Sequence, residues 1–300
     1  MAMKSHHIGI NMNIGTQYKP DDDFKAAARL HQSKYRAEVL RVGFEDYGNR
    51  LNDKDAEALL NYYDKLNCRQ AKRARYPNYW KDRDADMLRS EHIPFNLLAP
   101  LESDRTLAMN IIKRAFGIDC AAIESIDIEY APKPKEEYLD DGTAFDTYIR
   151  VVVPNGKKCG IGIEVKYTEQ DYPLDKNSKQ AINVKNHAST YWKTARAADC
   201  FIDPDNEVFG TDSYRQIWRN HLLGLSMVEH GDIDEFYSIT LFPNGNTHFC
   251  DVLPKYISLL KEDHRRYVFG CTFEKFISAI GGKPAFDEWK QWLKRRYLVI

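Results

Sequence analysis

The stretch Gly160-Ile161-Gly162-Ile163-Glu164-Val165-Lys166-Tyr167-Thr168-Glu169 alternates with period two. That alternation leaves little besides a β-strand with two unlike faces. Ile161, Ile163 and Val165 point into a core, while Gly162, Glu164 and Lys166 point the other way. Glu164 and Lys166 then stand on one face about 7 Å apart, at ~3.4 Å of rise per residue. A carboxylate and an ammonium share one small volume.

Upstream, the run from Ala144 to Val153 is rich in β-branched and aromatic residues and reads as a second strand. Pro154-Asn155-Gly156-Lys157-Lys158 between them is a turn by composition. A hairpin folded about Gly156 sets Asp146 opposite Lys166 and diagonal to Glu164. A slip of one residue would turn Asp146 to the other face. Two carboxylates at that separation suit Mg2+ or Mn2+, which take oxygen ligands and keep waters for a phosphate group. Such an ion polarises a phosphoryl group and lowers the pKa of a bound water. The lysine can orient or deprotonate that water, or offset charge on phosphorus. The plain alternative is a cross-strand ion pair on a solvated face, worth ~0.2–1 kcal/mol.

Asp146 followed by Glu164-Val165-Lys166 resembles the Asp…Glu-x-Lys signature of the PD-(D/E)XK nuclease superfamily, which includes restriction endonucleases. The likeness extends to Phe95-Asn96-Leu97, Glu129-Tyr130, Thr143-Ala144-Phe145-Asp146, Glu164 to Glu169 and Gln216 to Leu223. Together these resemble a little-characterised group of bacterial restriction-endonuclease-like proteins over roughly the middle half of the chain. The proline of the superfamily's name is absent, since Phe145 precedes Asp146. The resemblance implies an α/β (α+β) fold with a restriction-endonuclease-like core, a mixed central sheet flanked by helices in αβββαβ order. It implies a Mg2+- or Mn2+-dependent endonuclease acting on DNA, RNA not excluded, in defence or repair. Asp146, Glu164 and Lys166 would be catalytic, with metal held by Asp146, Glu164 and the main-chain carbonyl of Val165. The helix before the first strand often supplies a further acid in this superfamily. Glu91 is the candidate here, although it stands where the group frequently has an amide. The other reading is a nucleic-acid-binding or interaction protein on a nuclease fold whose site is unused.

Along the chain, the first twenty residues read as a lead-in. Asp21-Asp22-Asp23 opens a basic helix towards Leu40, acids belonging at a helix's positive end. Asn52 or Asp53 caps a second helix through Leu66, with Leu59, Leu60, Tyr62, Tyr63 and Leu66 as its buried stripe. From Arg69 to Lys81, basic residues interleave with Tyr76, Tyr79 and Trp80. That mixture suits phosphate contact and base stacking, with Lys72, Arg73 and Arg75 as candidate nucleic-acid contacts. Ser103 or Asp104 caps a helix ending near Gly117, and Ala122 to Tyr130 reads as a half-buried strand. Glu129 can reach the metal if that strand neighbours Asp146.

After Glu169, Asp171 to Ser189 is a polar excursion over the site, followed by a helix from Tyr191 to Ala198. Thr211-Asp212-Ser213 caps a strong helix to Gly231, with Ser213 and Gln216 spaced as a capping box. Gln216 and Arg219 on that helix are accessory candidates, Arg219 for a phosphate or an active-site carboxylate. Glu235 to Phe242 is another strand, and the tail from Pro254 reads as mostly helical. This divides the chain into a helical N-terminal extension (1–89), the nuclease-like core (90–253) and a helical C-terminal extension (254–300), packed as one unit.

With 43 Lys+Arg against 44 Asp+Glu, the net charge of −1 means that any nucleic-acid surface is local. No apolar run nears the ~20 residues of a membrane span. The N-terminus lacks a signal peptide's apolar core, and six scattered cysteines without a Cys-x-x-Cys suit reduced thiols in the cytoplasm. A double-strand cut needs two sites, for which a symmetric homodimer is the natural supply.

Overall fold

The computed structural model describes residues 13–170 and 174–299. The expectations for the first twelve residues and for the start of the polar excursion at 171–173 lie outside the described residues. Five strands form one mixed sheet in the order β1 (Ala122–Tyr130), β2 (Phe145–Val152), β3 (Lys158–Val165), β4 (Glu235–Phe242), β5 (Val268–Thr272). The first three are antiparallel neighbours, and β4 and β5 run parallel to β3.

Both faces of this sheet are covered. Ile149, Val151, Ile161, Ile163, Val165, Ile239 and Leu241 belong to one cluster, closed by helices from the 93–118 region and from the C-terminus. Phe145, Tyr148, Phe236 and Phe242 belong to a second cluster, closed by the helices Thr190–Ala197, Asp212–His230 and Thr247–Ser258. The period-two alternation of β3 is thus buried on both sides, with glycine on the second. A Cβ on Gly162 would lie 2.6 Å from the Phe145 ring, and one on Gly160 2.7 Å from the Tyr148 hydroxyl. Those glycines let aromatic rings lie flat across the strand.

The helices that matter to the site are α1 (Asp23–Lys34), α2 (Cys68–Arg75), α3 (Arg105–Ile111), α4 (Thr190–Ala197), α5 (Asp212–His230), α6 (Thr247–Ser258), α7 (Phe273–Ala279) and α8 (Pro284–Tyr297). Asp22 caps α1 by accepting from Lys25 N–H at 2.8 Å, and Asp104 caps α3 by accepting from Leu107 N–H at 2.9 Å. Both helices run on as π-turns, to Leu40 and to Phe116, the second stopped by Gly117 in the left-handed conformation.

Three elements differ from the sequence reading. The helix expected from Asn52 to Leu66 stops at Glu57, because Leu59, Leu66 and Asn67 all take positive φ. Of the apolar stripe, Leu59, Tyr62 and Tyr63 are buried nonetheless and Leu60 and Leu66 half-buried, with Tyr63 N–H held by the Asn96 side chain at 2.9 Å. The tail is not helix alone, since β5 extends the sheet beside β4. The Ser213–Gln216 capping box does not form: Thr211 is the N-cap, and its hydroxyl donates to Val208 O at 2.7 Å. Gln216 is therefore available for another partner.

Candidate active site

The β2–β3 ladder pairs Thr147 with Ile163 and Tyr148 with Gly162. Carried one step further, this register sets Asp146 against Glu164, two residues from the expected pairing with Lys166. A two-residue offset preserves the face, so Asp146 and Glu164 stay on the same side. The ladder bonds stop there, and the Asp146 carboxylate takes over by accepting from Val165 N–H at 2.6 Å. Lys166 lies just past the end of β3, although its N–H still donates to Leu241 O at 2.9 Å.

Glu164 is held from two directions. Lys166 Nζ donates to Oε1 at 2.6 Å, and the pair is largely buried. From α5, Gln216 Nε2 donates to Oε1 at 2.7 Å and Asn220 Nδ2 to Oε2 at 2.5 Å. Gln216 and Asn220 are four residues apart, hence on one face of the helix. Gly224 lets that helix close on the sheet, since a Cβ there would lie 2.1 Å from the Phe236 ring. The sequence reading noted Asn220 only as part of a polar helix face. Its signal is the i, i+4 carboxamide pair aimed at a strand carboxylate.

Glu129 completes a row. The pairs Ile128–Thr147 and Tyr130–Phe145 bracket it opposite Asp146, so Glu129, Asp146 and Glu164 occupy one level of three adjacent strands. Glu129 itself has φ 56°, a left-handed conformation. Burial, then the neighbouring Glu164 and Glu129 charges, push the Asp146 carboxyl well above its ordinary range. Burial raises Glu129 to about 7; a hydrogen bond from Tyr76 opposes the rise and the Glu164 charge adds to it. Burial and mutual repulsion both disfavour the ionised forms of this row, and a bound cation would relieve both.

Glu91 reaches the same cleft by a different route. The Glu169 carboxylate accepts from Ser90 N–H at 2.7 Å and from Tyr167 N–H at 2.9 Å, pinning the 90–91 turn to the end of β3. Glu91 lines the cleft but is engaged by Arg89. Gln216 and Arg219 line it as well, and the cleft beside Asp146, Glu164 and Lys166 holds about 320 Å³.

Two of the three expected nucleic-acid contacts are on the surface. Arg73 and Arg75 are exposed, and Arg75 donates to Glu129 O at 2.8 Å, next to the acidic row. Lys72 is not a surface cation. It is buried, with Nζ 3.2 Å from the fully buried Asp84. Asp84 also accepts from Arg83 at 3.0 Å and from the Tyr62 hydroxyl at 2.5 Å. A buried carboxylate of this kind demands compensating donors, and Lys72 is one of them.

Among the described residues, no three carboxylate, imidazole or thiolate side chains converge into a ready-made cation cage. The donor set nevertheless fits Mg2+ or Mn2+. Such ions are commonly bound by one or two carboxylates and keep several waters, and two carboxylates stand here at the edge of an open cleft.

A family model of the PD-(D/E)XK nuclease superfamily matches residues 19–299. The chain belongs to that superfamily, and the mixed five-stranded sheet with its flanking helices is a restriction-endonuclease-like α/β fold. The class implies a nuclease with a nucleic-acid substrate, and nucleases of this class generally use divalent metals. No curated protein and no solved structure matches the chain. Among the described residues, no helix is long and apolar enough to cross a membrane.

Proposed function

We propose that this protein is a divalent-cation-dependent endonuclease that hydrolyses phosphodiester bonds in DNA. The observation that carries this reading is the Glu164 carboxylate, fixed by Lys166, Gln216 and Asn220 beside Asp146 at an open cleft. A merely structural strand-face ion pair has no use for two helix carboxamides trained on its carboxylate. In this reading Asp146 and Glu164 hold Mg2+ or Mn2+, with the Val165 carbonyl as a further ligand. The ion would supply Lewis acidity at phosphorus and a more acidic water. Lys166 orients that water and offsets charge developing on the phosphoryl oxygens. Gln216 and Asn220 keep Glu164 in the orientation that presents its oxygens to the ion. Arg73 and Arg75 contact the nucleic-acid backbone beyond Glu129.

Closed-circular plasmid DNA separates internal cutting from trimming at ends. With Mg2+ or Mn2+ the protein is expected to nick or linearise it, and a chelator is expected to stop the reaction. Lys166→Ala is expected to lower the rate about 10²-fold or more. Equal cutting by Lys166→Ala would remove the lysine from the mechanism. Plasmid and labelled DNA strands left intact with both ions would overturn the reading.

A further inference from the structure

The first two turns of α5 carry two pairs of residues with different uses. Gln216 and Asn220 face Glu164. Arg215 and Arg219, each one residue earlier, line the neighbouring wall of the same cleft. Arg215 is buried and engaged by Asp212. Lys166, the other cation in the cleft, is engaged by Glu164. Arg219 differs from both. Its Nε is buried without a hydrogen-bond partner, and among the described residues no carboxylate lies within ion-pairing distance of its guanidinium. The Arg219 charge is felt at the Tyr191 hydroxyl, which is already given to Asp141.

A buried N–H donor left without an acceptor is costly, and a guanidinium in a cleft without a counter-ion more so. An arriving anion removes both costs. The Thr211 hydroxyl accepts no hydrogen bond from the first turn of α5, so at the positive end of this 19-residue helix, beside the cleft, the Asp212 carboxylate is the acid that offsets the dipole and no N-cap side chain does. A planar guanidinium matches two oxygens of a phosphate group at once.

We propose that Arg219 is a substrate-binding residue that grips the non-bridging oxygens of the phosphodiester seated in the cleft. The assignment rests on the nuclease reading and adds which phosphate the protein grips and with which side chain. It also accounts for the spacing on α5. One helical face holds the carboxylate, and the adjacent residues hold the phosphate, so the reacting group is fixed relative to Glu164 by a single rigid element.

The test uses the full chain, Ca2+ in place of the active ion, and a labelled DNA strand in which single phosphates are replaced in turn by neutral methylphosphonates. For the wild type, neutralising the phosphate in the cleft is expected to weaken binding about tenfold or more, as for loss of a charge-assisted contact. Arg219→Ala is expected to bind the unmodified strand about as weakly and to show no further penalty at that position. Arg219→Lys, which keeps the charge and loses the fork, is expected to fall between. Thermal melting of both variants confirms that each is folded. In parallel, inorganic phosphate is titrated into the wild type and Arg219→Ala, with weaker binding by the variant expected. A folded Arg219→Ala with the wild-type penalty at every position overturns the assignment alone. A wild type that neither binds nor cuts any oligonucleotide overturns the nuclease reading and the assignment with it. The phosphate titration then shows whether Arg219 is an anion site at all.

Discussion

Glu164 receives donors from Lys166, Gln216 and Asn220, and the three are not equivalent. Lys166 carries charge and sits beside the space where a phosphate would lie. The two carboxamides can only orient. Asn220→Ala should therefore leave the fold intact and weaken divalent-cation binding about 10–100-fold, the usual cost of losing a group that steers a metal ligand. Calorimetric titration with Mn2+ would register it; an unchanged affinity would mean that β3 alone fixes the carboxylate. Glu129 makes a separate prediction. Its folded-state pKa of about 7 lies above that of an unfolded glutamate. Between roughly pH 4.5 and 7 the folded chain binds the extra proton, so this group's contribution to stability is present below that range and is lost as pH rises through it. Glu129→Gln should raise the melting temperature of the metal-free protein at pH 8 and leave it nearly unchanged at pH 4.5. Melting curves at the two pH values decide it. Much of this row was legible in the residues. Alternation put Glu164 and Lys166 on one face, and the hairpin put Asp146 near them. The register came out two residues away from expectation because turn composition does not fix loop length. Asn220 was not singled out, since an amide on a helix reads as surface until something faces it.

At the level of elements, the site depends on how closely α5 lies on the sheet. Gly224 and Phe236 set that distance, since a Cβ on Gly224 would lie 2.1 Å from the ring and leave no room for a methyl group. Gly224→Ala should cost about 1–3 kcal/mol, as overpacked cores do. It should also move Gln216 and Asn220 away from Glu164, so activity should fall more than stability alone explains. Denaturant melts paired with cleavage rates would separate the two effects. A variant as stable and as active as the wild type would mean that α5 tolerates the shift. Glycine in a strand or helix is weak evidence when read alone, yet Gly160, Gly162 and Gly224 all mark places where rings pass close to backbone. The elements that escaped the sequence reading failed for a shared reason. β5 is a five-residue strand whose partner is β4, distant in sequence, and no local pattern announces that pairing. Lys72 sits in a run of exposed basic residues, and only the buried Asp84 distinguishes it.

At the scale of the whole molecule, the C-terminal helix is the decisive element. α8 buries Phe286, Trp289, Leu293 and Tyr297 in the same cluster as Ile161, Ile163 and Val165. The Tyr297 hydroxyl accepts from Asn96 Nδ2 at 2.6 Å, and Trp289 Nε1 donates to Asn96 O at 2.9 Å. From the other end of the chain, Gln32 Nε2 on α1 donates to Arg296 O at 2.7 Å and to the Tyr167 hydroxyl at 2.7 Å, one residue past Lys166. A helix appended to an independent core would not share an apolar cluster with β3, bond Asn96 from two residues, or set the Tyr297 ring edge-on to Tyr167 just past the strand. Burying a large apolar side chain contributes about 1.5–3 kcal/mol, so four of them rival the ~5–15 kcal/mol net stability of a typical domain. A chain ending at residue 283 should therefore fail to fold, with loss of near-ultraviolet circular dichroism and early hydrogen exchange across β3. Tyr297→Phe isolates the polar part of the same packing. It leaves the ring in place and strips a buried amide of its acceptor, so it should cost about 1–3 kcal/mol. A truncated chain that melts cooperatively, with β3 protected, would instead make α8 an accessory to a core that stands without it.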